Sequence, residues 1–208
     1  TLEETMQKIR PVDAAAMAAA KQHWDGLGKP LGSLGRLEKA LIQIAGIQRT
    51  GDVHIDRKAL VIMCADNGVV EEGVTQCGQE VTATVAENFL DEKSCVAIMC
   101  RRAGTKICPV DIGMAVDTPR VEKRKIAYGT KNMAKEPAMT REQAVAAIEV
   151  GIAKAEELHA QGYEILATGE MGIGNTTTSS AMTAVYLGLD VETVTGRGAG
   201  LSSHGLQR

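Results

Sequence analysis

The sequence predicts an α/β protein in which helices cover both faces of a parallel β-sheet. Short apolar runs of the kind found in buried strands occur at residues 59–65, 105–110 and 163–167. Longer segments with helical periodicity separate these runs and follow the last of them. This alternation favours parallel strands joined by right-handed helical crossovers. We therefore expect a Rossmann-like sheet whose ligands bind beyond the carboxyl ends of the strands.

Two helices are expected before the first strand. Asp13 can cap a helix that starts in an alanine-rich run and should end by residues 26–28. A connector rich in glycine and proline follows at residues 29–36, and the next helix carries its apolar residues on one face. Lys29 and Arg36 in the connector are either solvated cations or reach toward an anionic ligand.

The first two strands are each followed by a carboxylate. The run at residues 59–65 leads into Asp66, and the second strand leads into Asp111. Between them, residues 79–103 are helical in character, with a break expected at residues 91–94. The carboxyl ends of parallel strands lie at the same end of the sheet, where ligands bind. The two carboxylates therefore either face a ligand or hold turns.

Residues 114–138 are polar and lack periodic apolar positions, so we expect an excursion over the surface. A capping box formed by Thr140 and Gln143 starts the next helix, which should end at Gly162. The third strand then leads into the most informative stretch of the chain.

Residues 168–178 form a Gly-rich turn between the third strand and a helix expected at residues 179–187. The glycines let the backbone approach a ligand, and the helix N-terminus favours a phosphate or carboxylate. Asn175 replaces the lysine of a P-loop, which argues against a nucleoside triphosphatase, and Thr177 replaces the third glycine of the dinucleotide pattern. A structural turn is the alternative. Glu170 requires a cationic or hydrogen-bonding target, because its charge opposes the local field.

Composition argues against several classes of function. Aromatic residues make up 2% of the chain and the net charge is −3, so neither stacking platforms nor a basic field for nucleic acid is expected. The five cysteines lack a C-x-x-C pair and suit a reducing cytoplasm, and the four histidines have no metal-ligand spacing. No apolar run is long enough to cross a membrane. We expect a cytoplasmic protein with no metal.

Four blocks of the chain, in order, resemble the nicotinate-nucleotide:dimethylbenzimidazole phosphoribosyltransferase family. They are residues 29–38, 64–69, 169–177 and 196–201, and the resemblance covers essentially the whole chain. It implies transfer of ribose 5-phosphate from nicotinate mononucleotide to dimethylbenzimidazole or a related base. The products would be nicotinate and α-ribazole phosphate, which is used for the lower ligand of cobalamin. No cofactor is implied.

The resemblance also implies a set of site residues. Glu170 would be an auxiliary catalytic residue near the reacting ribose and base. Met171 would form part of the pocket wall around the acceptor base. The remaining residues implied to bind substrate are Asp66, Thr75, Val85, Gly172, Gly174, Asn175, Thr176, Gly196, Arg197 and Gly198. Val85 stands where the family often has glutamine and Thr75 replaces a serine, so the acceptor base stays open.

Relative to the family, the sequence is short at its C-terminus, and the glutamate usually assigned as general base lies in that missing part. We expect residues 1–50 to be the N-terminal helices of a small helical domain and residues 51–208 to be an incomplete Rossmann-like domain. An incomplete sheet would expose an edge, which predicts a homodimer. The alternatives to an enzyme of this class are a non-catalytic domain that binds nicotinate mononucleotide or another phosphorylated ligand, and a phosphohydrolase of P-loop type.

Overall fold

A computed structural model describes residues 1–207 and divides the chain into two units. The first unit is Thr1–Asp56 and the second begins at Arg57. The boundary that we predict at residues 50 and 51 lies close to this division and stays a prediction.

The first unit contains three helices, α1 (Leu2–Lys8), α2 (Ala14–Asp25) and α3 (Arg36–Gln48). The Asp13 carboxylate caps α2 by accepting a hydrogen bond from the Ala16 N–H at 2.9 Å, as expected. Helix α1 was not expected. In the connector, the Lys29 ammonium lies 2.7 Å from the buried Glu38 carboxylate, so this cation is paired within its own unit.

The second unit alternates strands and helices. In chain order its elements are β1 (Lys58–Ala65), α4 (Glu80–Leu90), α5 (Cys95–Arg102), β2 (Thr105–Gly113), β3 (Glu122–Lys123), α6 (Arg141–Ala160), β4 (Ile165–Met171), α7 (Asn175–Leu187), α8 (Val191–Val194) and α9 (Ser203–Leu206). A 3-10 turn at Gly68–Glu72 follows β1. The break between α4 and α5 and the capping box of α6 lie where the sequence predicts them.

The four strands that the structure describes form one sheet in the order β3-β2-β1-β4, and every pair is parallel. The register places Cys64 of β1 beside Asp111 of β2, and Met63 of β1 beside Glu170 of β4. The predicted α/β fold with a parallel sheet is confirmed. Asp66 directly follows β1, whereas Asp111 and Glu170 lie within the last three residues of β2 and β4, so the three carboxylates are at the carboxyl end of the sheet.

Alternating residues of β1 build a core on each face of the sheet. Leu60, Ile62 and Cys64 pack with buried residues of α4 and α5, including Phe89. Ala59 packs on the opposite face with a β2 cysteine and with Leu158 of α6. This alternation follows from the pleat of the strand and explains why β1 is almost continuously apolar.

Strand β4 and helix α7 both extend further toward the glycine loop than the sequence indicates. Gly169 and Glu170 pair with β1 instead of belonging to the loop, and α7 starts at Asn175 instead of residue 179. Three residues, 172–174, therefore connect strand to helix. Parallel pairing with β1 accounts for the longer strand, because it supplies backbone hydrogen bonds that a propensity argument cannot see.

The polar excursion is tied to the end of β2 by Asp111 and Lys125. The Asp111 carboxylate accepts hydrogen bonds from the N–H groups of Gly113 and Met114 at 3.1 and 2.9 Å. The Lys125 ammonium lies 3.2 Å from the same carboxylate and donates to two carbonyl groups of the excursion. Of the two alternatives left for Asp111, the structure shows the turn-holding one.

Helix α7 presents large apolar side chains to solvent, among them Val185, Tyr186 and Leu187 with exposures of 81%, 78% and 65%. In residues 1–207, no helix is both long and apolar enough to cross a membrane.

Candidate active site

A cavity of about 430 Å³ lies at the carboxyl end of β4. Three segments supply most of its wall: the loop at residues 74–77, the glycine loop with the adjoining ends of β4 and α7 at residues 171–177, and the loop at residues 195–201. The Gln76 side-chain amide donates to the Gly200 carbonyl and so joins the first loop to the third. The cavity is where ligands of a parallel sheet are expected, beyond the ends of its strands.

The glycine loop lies directly against the end of β1. A Cβ at Gly172 would overlap the Ala65 carbonyl oxygen and lie 2.7 Å from Glu170 Oε1. Gly174 has a φ of +89°, a left-handed conformation that L side chains rarely adopt, and it starts α7 with no side-chain cap. The loop therefore needs its glycines for packing and for backbone shape, and an uncapped helix N-terminus adjoins the cavity.

Glu170 finds its hydrogen-bonding target within the same loop, because the Asn175 side-chain amide donates to its carboxylate. Although more than a third of the residue is exposed, desolvation by the surrounding protein raises the pKa of the Glu170 carboxyl, and the Asn175 amide opposes that rise. A carboxyl group whose pKa is moved upward beside a cavity is suited to proton transfer.

The turn at residues 196–198 contacts the start of α7. A Cβ at Gly198 would lie 2.8 Å from Thr176 Oγ1, so the two segments are in close contact. The Arg197 guanidinium donates to the Leu201 carbonyl at 3.3 Å and to Ser203 Oγ at 2.9 Å. Among the residues that line the cavity, Arg197 is the one with a charged side chain, and the two groups to which it donates are neutral.

Most of the site residues predicted from the sequence come together here. The cavity wall includes Thr75, Met171, Gly172, Gly174, Asn175, Thr176, Gly196, Arg197 and Gly198, with Glu170 bonded to it through Asn175.

Besides Glu170, two of the predicted residues lie outside the cavity wall. The Asp66 carboxylate is fully buried, and its Oδ2 atom accepts from the Ala115 N–H at 2.7 Å. Val85 lies on α4 and packs against the core that covers one face of the sheet. For both residues a role in substrate binding stays a prediction.

Several wall residues were not predicted. Ser180 and Leu206 line the cavity. Helical spacing could have indicated Ser180, because it lies one turn after Thr176, whereas nothing in the sequence brings Leu206 to the site. In residues 1–207, no three His, Cys, Asp or Glu side chains come together in a way that could hold a metal ion.

Comparison with known proteins identifies the group to which this architecture belongs. The family model described as phosphoribosyltransferase (DBI_PRT) matches residues 9–208. The chain belongs to this phosphoribosyltransferase family. The resemblance seen in the four sequence blocks is confirmed over nearly the whole chain.

Members of the phosphoribosyltransferase family with closely similar sequences share one name. A nicotinate-nucleotide–dimethylbenzimidazole phosphoribosyltransferase from Clostridium tetani is 46% identical over 206 residues, which are 98% of this chain and 57% of that protein. The protein of the same name from Acetivibrio thermocellus is 48% identical over 211 residues, covering 100% of this chain and 60% of that protein. The chain thus spans about three fifths of the length of these relatives.

The fold of the phosphoribosyltransferase chain also matches a solved structure. CobT from Thermus thermophilus superimposes with a TM-score of 0.87 at 39% sequence identity, covering 93% of this chain and 59% of that one. The match supports the parallel sheet and its flanking helices as a family property.

Proposed function

We propose that this chain is the nucleotide-binding part of an enzyme that moves ribose 5-phosphate from nicotinate mononucleotide to dimethylbenzimidazole or a related lower-ligand base. The observation that carries the proposal is the cavity at the end of β4, whose wall contains the glycine loop and the start of α7. Family membership supports the reaction class. The chain spans about three fifths of the length of its relatives. We therefore propose that the chain itself binds the nucleotide, and that a protein of the relatives' length catalyses the transfer.

The polar side of the cavity suits a single phosphate group. Hydroxyl groups of Thr176, Thr177 and Ser180 line it beside the uncapped start of α7, and Arg197 is the charged residue of the wall. Backbone N–H groups at a helix N-terminus attract anions, and one cation balances a monophosphate better than a triphosphate. The donor nucleotide carries one such phosphate.

The apolar side of the cavity suits a flat heterocycle. Val74, Met171, Ile173, Leu201 and Leu206 line it. Such walls bind aromatic ligands by burial, while a few polar groups fix their orientation. This side would receive the nicotinate ring or the acceptor base, and the identity of that base is left open by Thr75 and Val85.

The proposed reaction exchanges one bond at the ribose anomeric carbon for another. The bond to the nicotinate nitrogen breaks, and its electron pair neutralises the pyridinium, so this leaving group needs no acid. A nitrogen of the acceptor base forms the new bond and then loses a proton to a general base. Glu170 lies beside the glycine loop and would act as an auxiliary residue near the cation-like sugar.

The binding site can be tested with the chain's own cysteines. Cys77 is exposed and lines the cavity, whereas Cys95 is exposed on α5. We expect nicotinate mononucleotide to slow alkylation of Cys77 and to leave Cys95 unaffected, as measured by mass spectrometry of labelled peptides. Cys64 should stay unmodified in both samples, because burial raises its pKa to about 12 and the thiolate is the reactive form. Equal protection of Cys77 and Cys95, or none, would contradict the placement of the site.

Glu170→Gln, made in a protein of the relatives' length, should lower kcat by about 100-fold, the lower end of what is lost when one electrostatic stabiliser of a transition state is removed. The dissociation constant for nicotinate mononucleotide should change much less, because the phosphate group lies on the glycine loop. Steady-state kinetics and calorimetry measure the two quantities. Glu192→Gln on exposed α8 is the matched control and should change neither.

The raised pKa of Glu170 gives this experiment a second readout. If the reaction needs the charged carboxylate, activity falls as the pH drops through the folded-state pKa and the group becomes protonated. That pKa lies above the usual glutamate value of 4.5. The wild-type pH profile should therefore have an acidic limb that the glutamine variant lacks. A variant with unchanged kcat and an unchanged limb would remove Glu170 from the reacting centre.

A non-catalytic domain that binds nicotinate mononucleotide or another phosphorylated ligand is the alternative function. The protection experiment fits both functions, whereas formation of α-ribazole phosphate would exclude the alternative. A phosphohydrolase of P-loop type is disfavoured by Asn175.

We further propose a homodimer in the cytoplasm. The apolar side chains that α7 exposes support self-association. All five cysteines are free, which suits a reducing compartment.

A further inference from the structure

The peptide groups at Ile173, in the middle of the glycine loop, are held at both polar atoms by side chains from other elements. The Ile173 N–H donates to Thr82 Oγ1 on α4 at 3.1 Å. The Ile173 carbonyl accepts from the Asn67 side-chain amide, just past β1, at 3.1 Å. Ile173 is the one residue between Gly172 and Gly174, so these two bonds fix the centre of the loop.

Both side chains are themselves held in place. Thr82 is fully buried in α4. The Asn67 carbonyl accepts from the Gln79 side-chain amide at 3.1 Å, and Asn67 Oδ1 lies 3.4 Å from the Thr178 hydroxyl on α7. Asn67 thus connects the end of β1, the start of α4, the glycine loop and the first turn of α7.

We propose that Asn67 and Thr82 are positioning residues that preorganise the glycine loop for the phosphate group of the donor nucleotide. This role rests on the proposed function. A loop with glycines on both sides of one residue has large conformational freedom, and ordering it on binding would reduce affinity. Two hydrogen bonds from rigid elements restrict that freedom before the ligand arrives. They also commit the Ile173 N–H to Thr82, so the phosphate must be bound by other donors.

A purely structural role makes different demands from a positioning role. If the two side chains only satisfied buried polar groups, their loss would lower stability and leave the affinity of the folded protein unchanged. If they position the loop, nucleotide affinity falls in protein that is still folded. A conservative replacement that keeps the hydrogen-bonding atom should then restore that affinity.

The test uses the 208-residue chain with Thr82→Val, which replaces the hydroxyl by a methyl group of similar size. We expect the dissociation constant for nicotinate mononucleotide, measured by calorimetry, to rise about tenfold, since ordering the backbone of one released loop residue on binding has a cost of that order. Exchange of the Ile173 amide hydrogen, followed by NMR, should become faster. Thr82→Ser should restore both values.

Thr84→Val is the matched control, because Thr84 lies two residues away on the same helix and its exposed hydroxyl donates to the Glu80 carbonyl of that helix. It should leave the affinity and the Ile173 exchange rate unchanged. Asn67→Asp provides an independent variant at a less buried position. It places a carboxylate oxygen against the Ile173 carbonyl, and it should weaken binding at least as much as Thr82→Val.

The outcomes separate this inference from the function on which it rests. Failure of the wild-type chain to bind nicotinate mononucleotide would overturn the proposed function and this role with it. Normal wild-type binding with unchanged affinity in Thr82→Val and Asn67→Asp would overturn the positioning role alone. Failure of Thr82→Ser to recover the affinity would also overturn it. If Thr82→Val does not fold, Asn67→Asp decides between these outcomes.

Discussion

Gly172→Ala should nearly abolish turnover in a protein of the relatives' length. The added methyl group would overlap the Ala65 carbonyl oxygen and crowd the Asn67 amide at 3.0 Å. Backbone atoms cannot yield as a side chain does, so the glycine loop must move instead. A displacement of about 1 Å at a substrate-positioning element costs about 100-fold in rate, and we expect at least that loss in kcat/KM.

The same variant should also lower stability, by about 1–3 kcal/mol for an overpacked site. Thermal unfolding of the 208-residue chain measures this directly. Gly151→Ala is the control: its methyl group would meet nothing within 4 Å, and alanine in a helix should be neutral or stabilising by up to about 1 kcal/mol. Wild-type kinetics and unfolding in Gly172→Ala would show that the loop does not require contact with β1.

Lys125→Met should destabilise the chain by about 3–5 kcal/mol, the usual cost of leaving a buried charge without its partner. The Asp111 carboxylate is fully buried, and the Lys125 ammonium 3.2 Å away is its counter-charge. The same ammonium donates to the carbonyl groups of Met114 and Val116 at 2.7 and 3.0 Å. Its loss removes these side-chain contacts between the polar excursion and the end of β2, whereas the parallel pairing of β2 with β3 remains. Urea unfolding measures the change in free energy.

Two further variants show whether the unpaired charge is the cause. Lys123→Met makes the same substitution on an exposed residue nearby and should change stability by less than about 0.5 kcal/mol. Adding Asp111→Asn to Lys125→Met should recover part of the loss, because the buried charge is gone while an oxygen still accepts from Gly113 and Met114. A double variant no more stable than Lys125→Met would point to the carbonyl contacts instead.

Local patterns were enough to predict much of the sheet and the helices. The buried run at β1, the break between α4 and α5 and the capping box of α6 depend on neighbouring residues, so periodicity and turn chemistry reveal them. The end of β4 was placed too early, because Glu170 belongs to the strand only through its pairing with Met63, more than 100 residues away in the chain. Helix α7 begins earlier than expected, at Asn175, where the N–H groups of Thr177 and Thr178 donate to the Gly174 carbonyl.

The candidate site, too, was only partly predictable from the sequence. The glycine loop and the turn at residues 196–198 could be recognised from their residues, since closely spaced glycines indicate a backbone that turns sharply or approaches a ligand. The support beneath the loop could not be recognised. Asn67 resembles a turn residue and Thr82 an ordinary helix residue, and their function depends on a tertiary contact with Ile173.

Within the part of the chain that the structure describes, β4 pairs with β1 on one side and lies at an edge of the sheet. The glycine loop therefore follows a strand that has one hydrogen-bonded neighbour. Such a strand opens locally at a lower free energy than a central strand does. A nucleotide bound to the loop would shift that local equilibrium toward the closed strand. At a nucleotide concentration 100 times the dissociation constant, binding raises the free energy of any opening that releases the nucleotide by about 2.7 kcal/mol. Substrate would thus protect the amide hydrogens of β4 from exchange far more than those of β2.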